Sequence, residues 1–291
     1  MNSLKNPLWW QKVFPFYTLH VVCLSVFFLP FDWAWIALGI GFFYLRMFGV
    51  TAGFHRYFSH RSFKTSRVMQ FIFGVWGCLS IQEGPLWWSA HHRRHHKFSA
   101  TELDIHSPEQ KGFYWAHMGW TLSLQFDDSD LGNIKDFSKY PELVFLGKYY
   151  SIPAILLGAA VWYFLGASAF VWGYLVSLVC NYHCTFIINS LCHMIGSRRF
   201  KTTDDSRNHF VLALLTMGEG WHNNHHYYQK SARQGMYWWE IDPSYWILKL
   251  MSAVGLVWDL KVYPQRVYDQ AKSQKSDPQN VDYEEISSLA A

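Results

Sequence analysis

The run Tyr149–Ser197, YYSIPAILLGAAVWYFLGASAFVWGYLVSLVCNYHCTFIINSLCHMIGS, contains no Lys, Arg, Asp or Glu. A bilayer-spanning helix needs roughly 20 apolar residues. The run is long enough for two such helices, and Gly166-Ala-Ser168 supplies a break between them. A second stretch, Val13–Leu45, has no Lys or Arg and a single acid, Asp32. Pro30-Phe-Asp32 divides it. Buried helices of a soluble domain rarely run so far without a charge. The reading is therefore an all-α membrane protein with four transmembrane helices in two hairpins, about 13–29 with 34–52 and about 151–165 with 169–191.

Orientation follows from where the basic residues lie. Lys5 and Lys12 precede the first hairpin, and Arg46, Arg56, Arg61, Lys64 and Arg67 follow it. Lys148 precedes the second, and Arg198, Arg199 and Lys201 follow it. Neither hairpin tip carries a Lys or Arg. Both termini and the long middle segment are expected on the cytoplasmic side, where a helical cap covers the bundle. The net charge of +4 suits anionic lipid headgroups, and no Lys/Arg run marks a nucleic-acid partner. Cys23, Cys78, Cys180, Cys184 and Cys192 form no C-x-x-C pair and read as reduced core residues.

Histidine falls in three tight groups: His55 with His60, His91-His92-Arg-Arg-His95-His96, and His222-Asn-Asn-His225-His226. All lie on the expected cytoplasmic side. Neutral imidazole is the most frequent side-chain ligand of transition metals. Eight of these rings fit the spacings H-x4-H and H-x2-H-H, too many for one ion and enough for two. His193 is a ninth candidate, with Asn189 one helical turn before it. The clusters hold no carboxylate, although Glu83 and Glu219 lie close enough in sequence to support the rings. Ligand type alone leaves Fe, Zn and Cu open.

HRYFSH, HRRHHKF, NSLCH and EGWHNNHH resemble the histidine boxes of the membrane-bound fatty acyl desaturases of the stearoyl-CoA type. The likeness continues through His96–His106 and Gly112–Trp120 and covers roughly residues 30–262. It implies two non-haem irons, O2 as co-substrate and a cis double bond, most often at carbon nine. Carried over by position, the ligands are His55, His60, His92, His95, His96, His193, His222, His225 and His226, with Asn189 holding a metal-bound water. The substrate implied is a fatty acyl chain, with a CoA thioester favoured; His106, Phe186, Trp88 and Arg198 are candidate substrate contacts. Two positions depart from the animal enzymes: His91 replaces an acid and Phe186 replaces a Trp. A hydroxylase of the same histidine-box superfamily is the alternative. No haem or flavin segment is recognisable, so electrons are expected from an external carrier, a ferredoxin or a small haem protein.

Bland roles suit several other residues. His20 and His183, inside expected spans, read as packing or hydrogen-bonding groups, and His91 as a neighbour of the metal site. Gly39-Ile-Gly41 reads as helix packing. Thr65–Trp88 is expected to lie against the membrane, and Tyr237–Trp258 to form an amphipathic helix. Residues 1–269 read as one integral-membrane domain and 270–291 as a disordered tail.

Overall fold

The computed structural model describes residues 7–275. Lys5 and the expected tail beyond Lys275 lie outside the described residues. The tail reading needs correction at its start: Gln265–Lys275 is a helix, and Val267 and Ala271 bury on Phe200 and Tyr263.

Helix α1 (Pro7–Cys23) continues as a 3-10 turn to Phe28. The Asp32 carboxylate accepts from Ala34 N at 2.8 Å and starts α2 (Trp33–Phe48). The α2 axis does not stop near residue 52 as expected. It runs on as a π-helical segment, Gly49–Ser59, every residue of which is buried. α3 (Arg67–Cys78) is too short to cross a bilayer and α4 (Pro85–Phe98) follows. The helix α5 begins at Ile152 and breaks at Gly166 (φ 82), a left-handed turn that glycine alone makes without strain. The chain then reverses through a π-helical segment, Ala169–Leu175, into α6 (Val176–Asn189). The reversal is direct: the Tyr174 hydroxyl donates to the Ala154 carbonyl. α7 (His222–Tyr227), α8 (Pro243–Ala253) and α9 (Gln265–Lys275) complete the principal helices. The amphipathic helix expected from Tyr237 therefore begins at Pro243, capped by Asp242. A two-residue antiparallel pairing, Lys64 with Trp258 and Thr65 with Val257, ties the segment after the π-helix to the C-terminal region.

Among the described residues, three helices are long and apolar enough to cross a bilayer: Trp9–Phe28, Trp33–Ser59 and Ile152–His193. The last is the one that doubles back at Gly166. The run Ala169–Asn189 is central: α2 packs along it, and α1 leans on it rather than pairing with α2. Gly39 meets the Gly173 backbone, so two glycines let the helices approach closely. The close approach of the π-segment to α3 has the same origin. A Cβ on Gly49 would lie 2.5 Å from the Trp76 carbonyl oxygen.

Two arginines counted as flanking charges are interior. Arg46 donates to the Leu79 carbonyl and Ser177 Oγ. Arg56 is 1% exposed and bonds Glu219, Asp242 and the Ala232 carbonyl. They pair with buried polar groups and are not charges flanking a span.

Candidate metal centre

The H-x4-H pair sits on the π-helix, which explains its spacing. At 100° per residue, positions five apart on an α-helix point roughly 140° away from each other. An i→i+5 backbone pattern stacks them instead, and His60 N bonds the His55 carbonyl at 3.2 Å. α4 presents His92 and His96 one turn apart on one face, and His95 about 100° round from His96. α7 repeats this with His222, His225 and His226. His193 comes from the 3-10 turn after α6.

The nine rings gather into two groups. His55, His60, His92, His96 and His225 form one; His95, His193, His222 and His226 form the other; within each, the nitrogens lie within 4.8 Å of one another. In the first group the Nε2 atoms form a chain: His60 to His92 at 2.8 Å, His92 to His96 at 2.9 Å, His96 to His225 at 2.9 Å and His225 to His55 at 3.0 Å. A ring nitrogen carries one proton or one lone pair, so the three middle atoms cannot satisfy two neighbours each by hydrogen bonding. Lone pairs converging at such separations suit a cation with metal–nitrogen distances of about 2.0–2.1 Å. In the second group His222 Nε2 meets His193 Nε2 at 3.0 Å, while His95 Nε2 and His226 Nε2 are buried without a partner. The donor set therefore fits two transition-metal ions.

Carboxylates orient the rings from behind. His95 Nδ1 meets Asp104 at 3.0 Å, His226 Nδ1 meets Asp204 at 2.8 Å and His55 Nδ1 meets Glu219 at 2.5 Å. Each contact holds the proton on Nδ1 and turns the Nε2 lone pair inward. Burial alone would raise the Asp104 and Asp204 carboxyls; the rings they face hold both well below the usual range. Of the supports expected from sequence, Glu219 takes this role and Glu83 does not. Asp104 and Asp204 were missed, because they lie in loops with no helical spacing to tie them to a box.

Burial, and then the neighbouring rings, push His60, His92, His96, His222 and His225 well below their ordinary value of 6.5; burial outweighs Asp204 and lowers His226 as well. The unfolded chain takes up protons near pH 6.5 and the folded one resists them. Stability from these rings is thus fully present above 6.5 and lost as pH falls below it. Chelator-treated protein is expected to show a flat melting temperature from about pH 7 to 8 and a steady decline toward about pH 5. Scanning fluorimetry across that range checks it; no decline would contradict the burial of neutral rings.

Beside the rings lies a cavity of about 960 Å³. His92, Trp88, Phe186, Asn189 and His106 line it. Arg198 does not: its guanidinium bonds Thr202 and the Asp204 carbonyl, bracing the loop that carries Asp204. His20 and His183 pair at 3.0 Å and His183 meets His117 at 3.0 Å, apart from both groups. His209 caps the Phe210–Leu215 turn.

Residues 31–257 match the family described as Fatty acid desaturase. The chain belongs to the fatty acid desaturase family. Among relatives, the sn-1 stearoyl-lipid 9-desaturase of Anabaena variabilis is 37% identical over 90% of this chain and 97% of its own length. Delta-9 acyl-lipid desaturase 1 of Arabidopsis thaliana is 35% identical over 90% of this chain and 89% of its own. An acyl-CoA 5-desaturase of Anemone leveillei is 37% identical over 89% and 81%. This desaturase-family chain is accordingly an oxidoreductase of lipid metabolism.

Proposed function

We propose that this desaturase uses O2 and two irons to place a cis double bond at carbon nine of a saturated fatty acyl chain. One observation carries the reading: His92 belongs to the five-ring group and also lines the apolar cavity, so metal site and acyl chain share a wall. His55, His60, His92, His96 and His225 would hold one iron. His95, His193, His222 and His226 would hold the other, with Asn189 at the cavity wall to hold a water. When bound, the irons supply oxidation of an unactivated methylene by O2, which no side-chain base can attack. Trp88, Phe186 and Leu178 exclude water and fix which carbon lies beside His92. Carbon nine is supported by the stearoyl-lipid and acyl-lipid relatives. The protein is read as one multi-pass domain that includes the helix Gln265–Lys275, with termini and metal groups facing the cytoplasm and electrons arriving from a ferredoxin or small haem protein.

Expression in a host lacking such an enzyme should add a monounsaturated fatty acid with its bond at carbon nine, and His92→Ala should remove it. Mass spectrometry of cellular lipids decides. Gain of oxygen in place of loss of two hydrogens would make the protein a hydroxylase.

A further inference from the structure

Three imidazoles outside the metal groups form a string whose protons can be counted. His20 Nδ1 meets the Phe16 carbonyl at 2.8 Å, and His20 Nε2 meets His183 Nε2 at 3.0 Å. His183 Nδ1 meets His117 Nε2 at 3.0 Å, and His117 Nδ1 meets Ser190 Oγ at 3.0 Å. The Ser190 hydroxyl donates to the Phe186 carbonyl at 2.9 Å. His20 stands on α1, His183 on α6 and His117 on the turn Trp115–Gly119. Both ends are carbonyls, which only accept, so the five links need five protons. Three neutral rings and one hydroxyl carry four. With every ring neutral, one link stays open. A fifth proton closes the string and spreads one positive charge over three rings.

The same count excludes a relay. A proton wire has to deliver at one end, and both ends here stop at a carbonyl. The string can only hold. Its two anchors, Phe16 and Phe186, both line the cavity beside the metal groups, with ring centroids 6.3 Å apart. The His20 ring lies 4.5 Å from that of Phe16, and the His117 ring 5.6 Å from that of Phe186. A closed string therefore braces α1 against α6 from behind the cavity wall, and an open one releases the brace.

Among the described residues, no Asp, Glu, Lys or Arg pairs with the string. Of the charged groups on the elements around it, Lys12 bonds Asp127, Glu109 faces Asp205 and Lys111 bonds the Asp104 carbonyl. Tyr17, Cys23, Tyr114, Cys180, Tyr182 and Cys184 share its elements and are uncharged between about pH 5 and 7.5. Phe210–Leu215, which packs on α6, carries no titratable side chain. Burial, and then His183, hold His117 below its ordinary 6.5. At neutral pH the fifth proton is absent, and it arrives as the pH falls.

We infer that His20, His183 and His117 are positioning residues that share a single proton, and that closing the string sets the spacing of Phe16 and Phe186 and so the grip of the cavity on an acyl chain. What the cavity holds rests on the desaturase reading above; the proton count does not.

The test uses full-length protein in nanodiscs, loaded with zinc in place of iron and labelled with isotopic histidine, titrated by nitrogen NMR between about pH 5.5 and 8. The three rings should take up one proton between them at one common midpoint. His183→Gln brings an amide whose two N–H groups serve both neighbouring Nε2 atoms, so the string closes without charge. His183→Leu removes the middle of the string. Grip is read by electron paramagnetic resonance with an uncharged probe, nitroxide-labelled methyl stearate. The unaltered protein should bind it about fivefold more tightly at the acid end of that range than at the alkaline end. His183→Gln should bind it tightly at both ends and His183→Leu weakly at both. Separate midpoints for the three rings would overturn the shared proton. A common midpoint with pH-independent binding, or a His183→Gln variant that still loosens at alkaline pH, would overturn the positioning role. No binding of the probe at any pH would sink the acyl reading of the cavity, and the positioning role with it.

Discussion

His225→Ala is expected to abolish double-bond formation while the protein stays in the membrane. His225 Nε2 stands between His96 Nε2 at 2.9 Å and His55 Nε2 at 3.0 Å, in the middle of the five-ring group. Alanine leaves four rings around one ion and opens a gap on the side of α7. The neighbouring rings His96 and His55 already belong to the group, so none of them replaces the lost nitrogen. The bound iron should fall toward half, measured by elemental analysis of purified protein. His91→Ala is the matched control. His91 belongs to neither group, and its Nδ1 bonds the Trp87 carbonyl at 2.9 Å within its own helix. That variant should keep its iron. Full activity in His225→Ala, or equal iron loss in both variants, would show that the convergence of rings is packing and not ligation.

The sequence made some parts of this molecule legible and hid others, for physical reasons. Charge-free length is a strong signal, so the helical runs and the reversal at Gly166 could be read directly. The histidine spacings also survived, because H-x2-H-H is set by helical geometry. The π-helical segment was hidden: its residues look like those of an α-helix, and only the five-residue spacing of His55 and His60 hinted at another pitch. Arg46 and Arg56 were misplaced because flanking and buried arginines look alike until their partners are known. Ser177, Glu219 and Asp242 lie more than a hundred residues away from them. Asp104 and Asp204 lie only 9 and 22 residues from the rings they face, but in loops, where no helical spacing ties them to a box. The cavity lining brings Phe16, His92, Trp120 and Phe186 together from distant segments, and no local pattern encodes that.

Arg56→Met is expected to be the most destabilising single change outside the rings. Arg56 is fully buried on the π-segment and donates to Glu219 at 3.0 Å and Asp242 at 2.9 Å. Glu219 in turn meets His55 at 2.5 Å and Gln234 Nε2 at 2.8 Å. Burial would raise the Glu219 carboxyl, but His55 and Arg56 hold it below its ordinary value. Methionine fills the volume and leaves two carboxylates buried without their cation. Removing one partner from a buried ion pair costs about 3–5 kcal/mol, which in a chain of this size lowers the melting temperature by roughly 10 °C. The damage should reach the metal site, because Glu219 loses the charge that fixes it behind His55. Glu219→Gln combined with Arg56→Met should recover part of the lost stability, since the pair then leaves one fewer uncompensated charge. Melting curves of the two variants in detergent decide the matter. A shift of less than about 2 °C for Arg56→Met would mean that water or a proton already neutralises the carboxylates, and that Arg56 does not anchor the π-helix to the third histidine box.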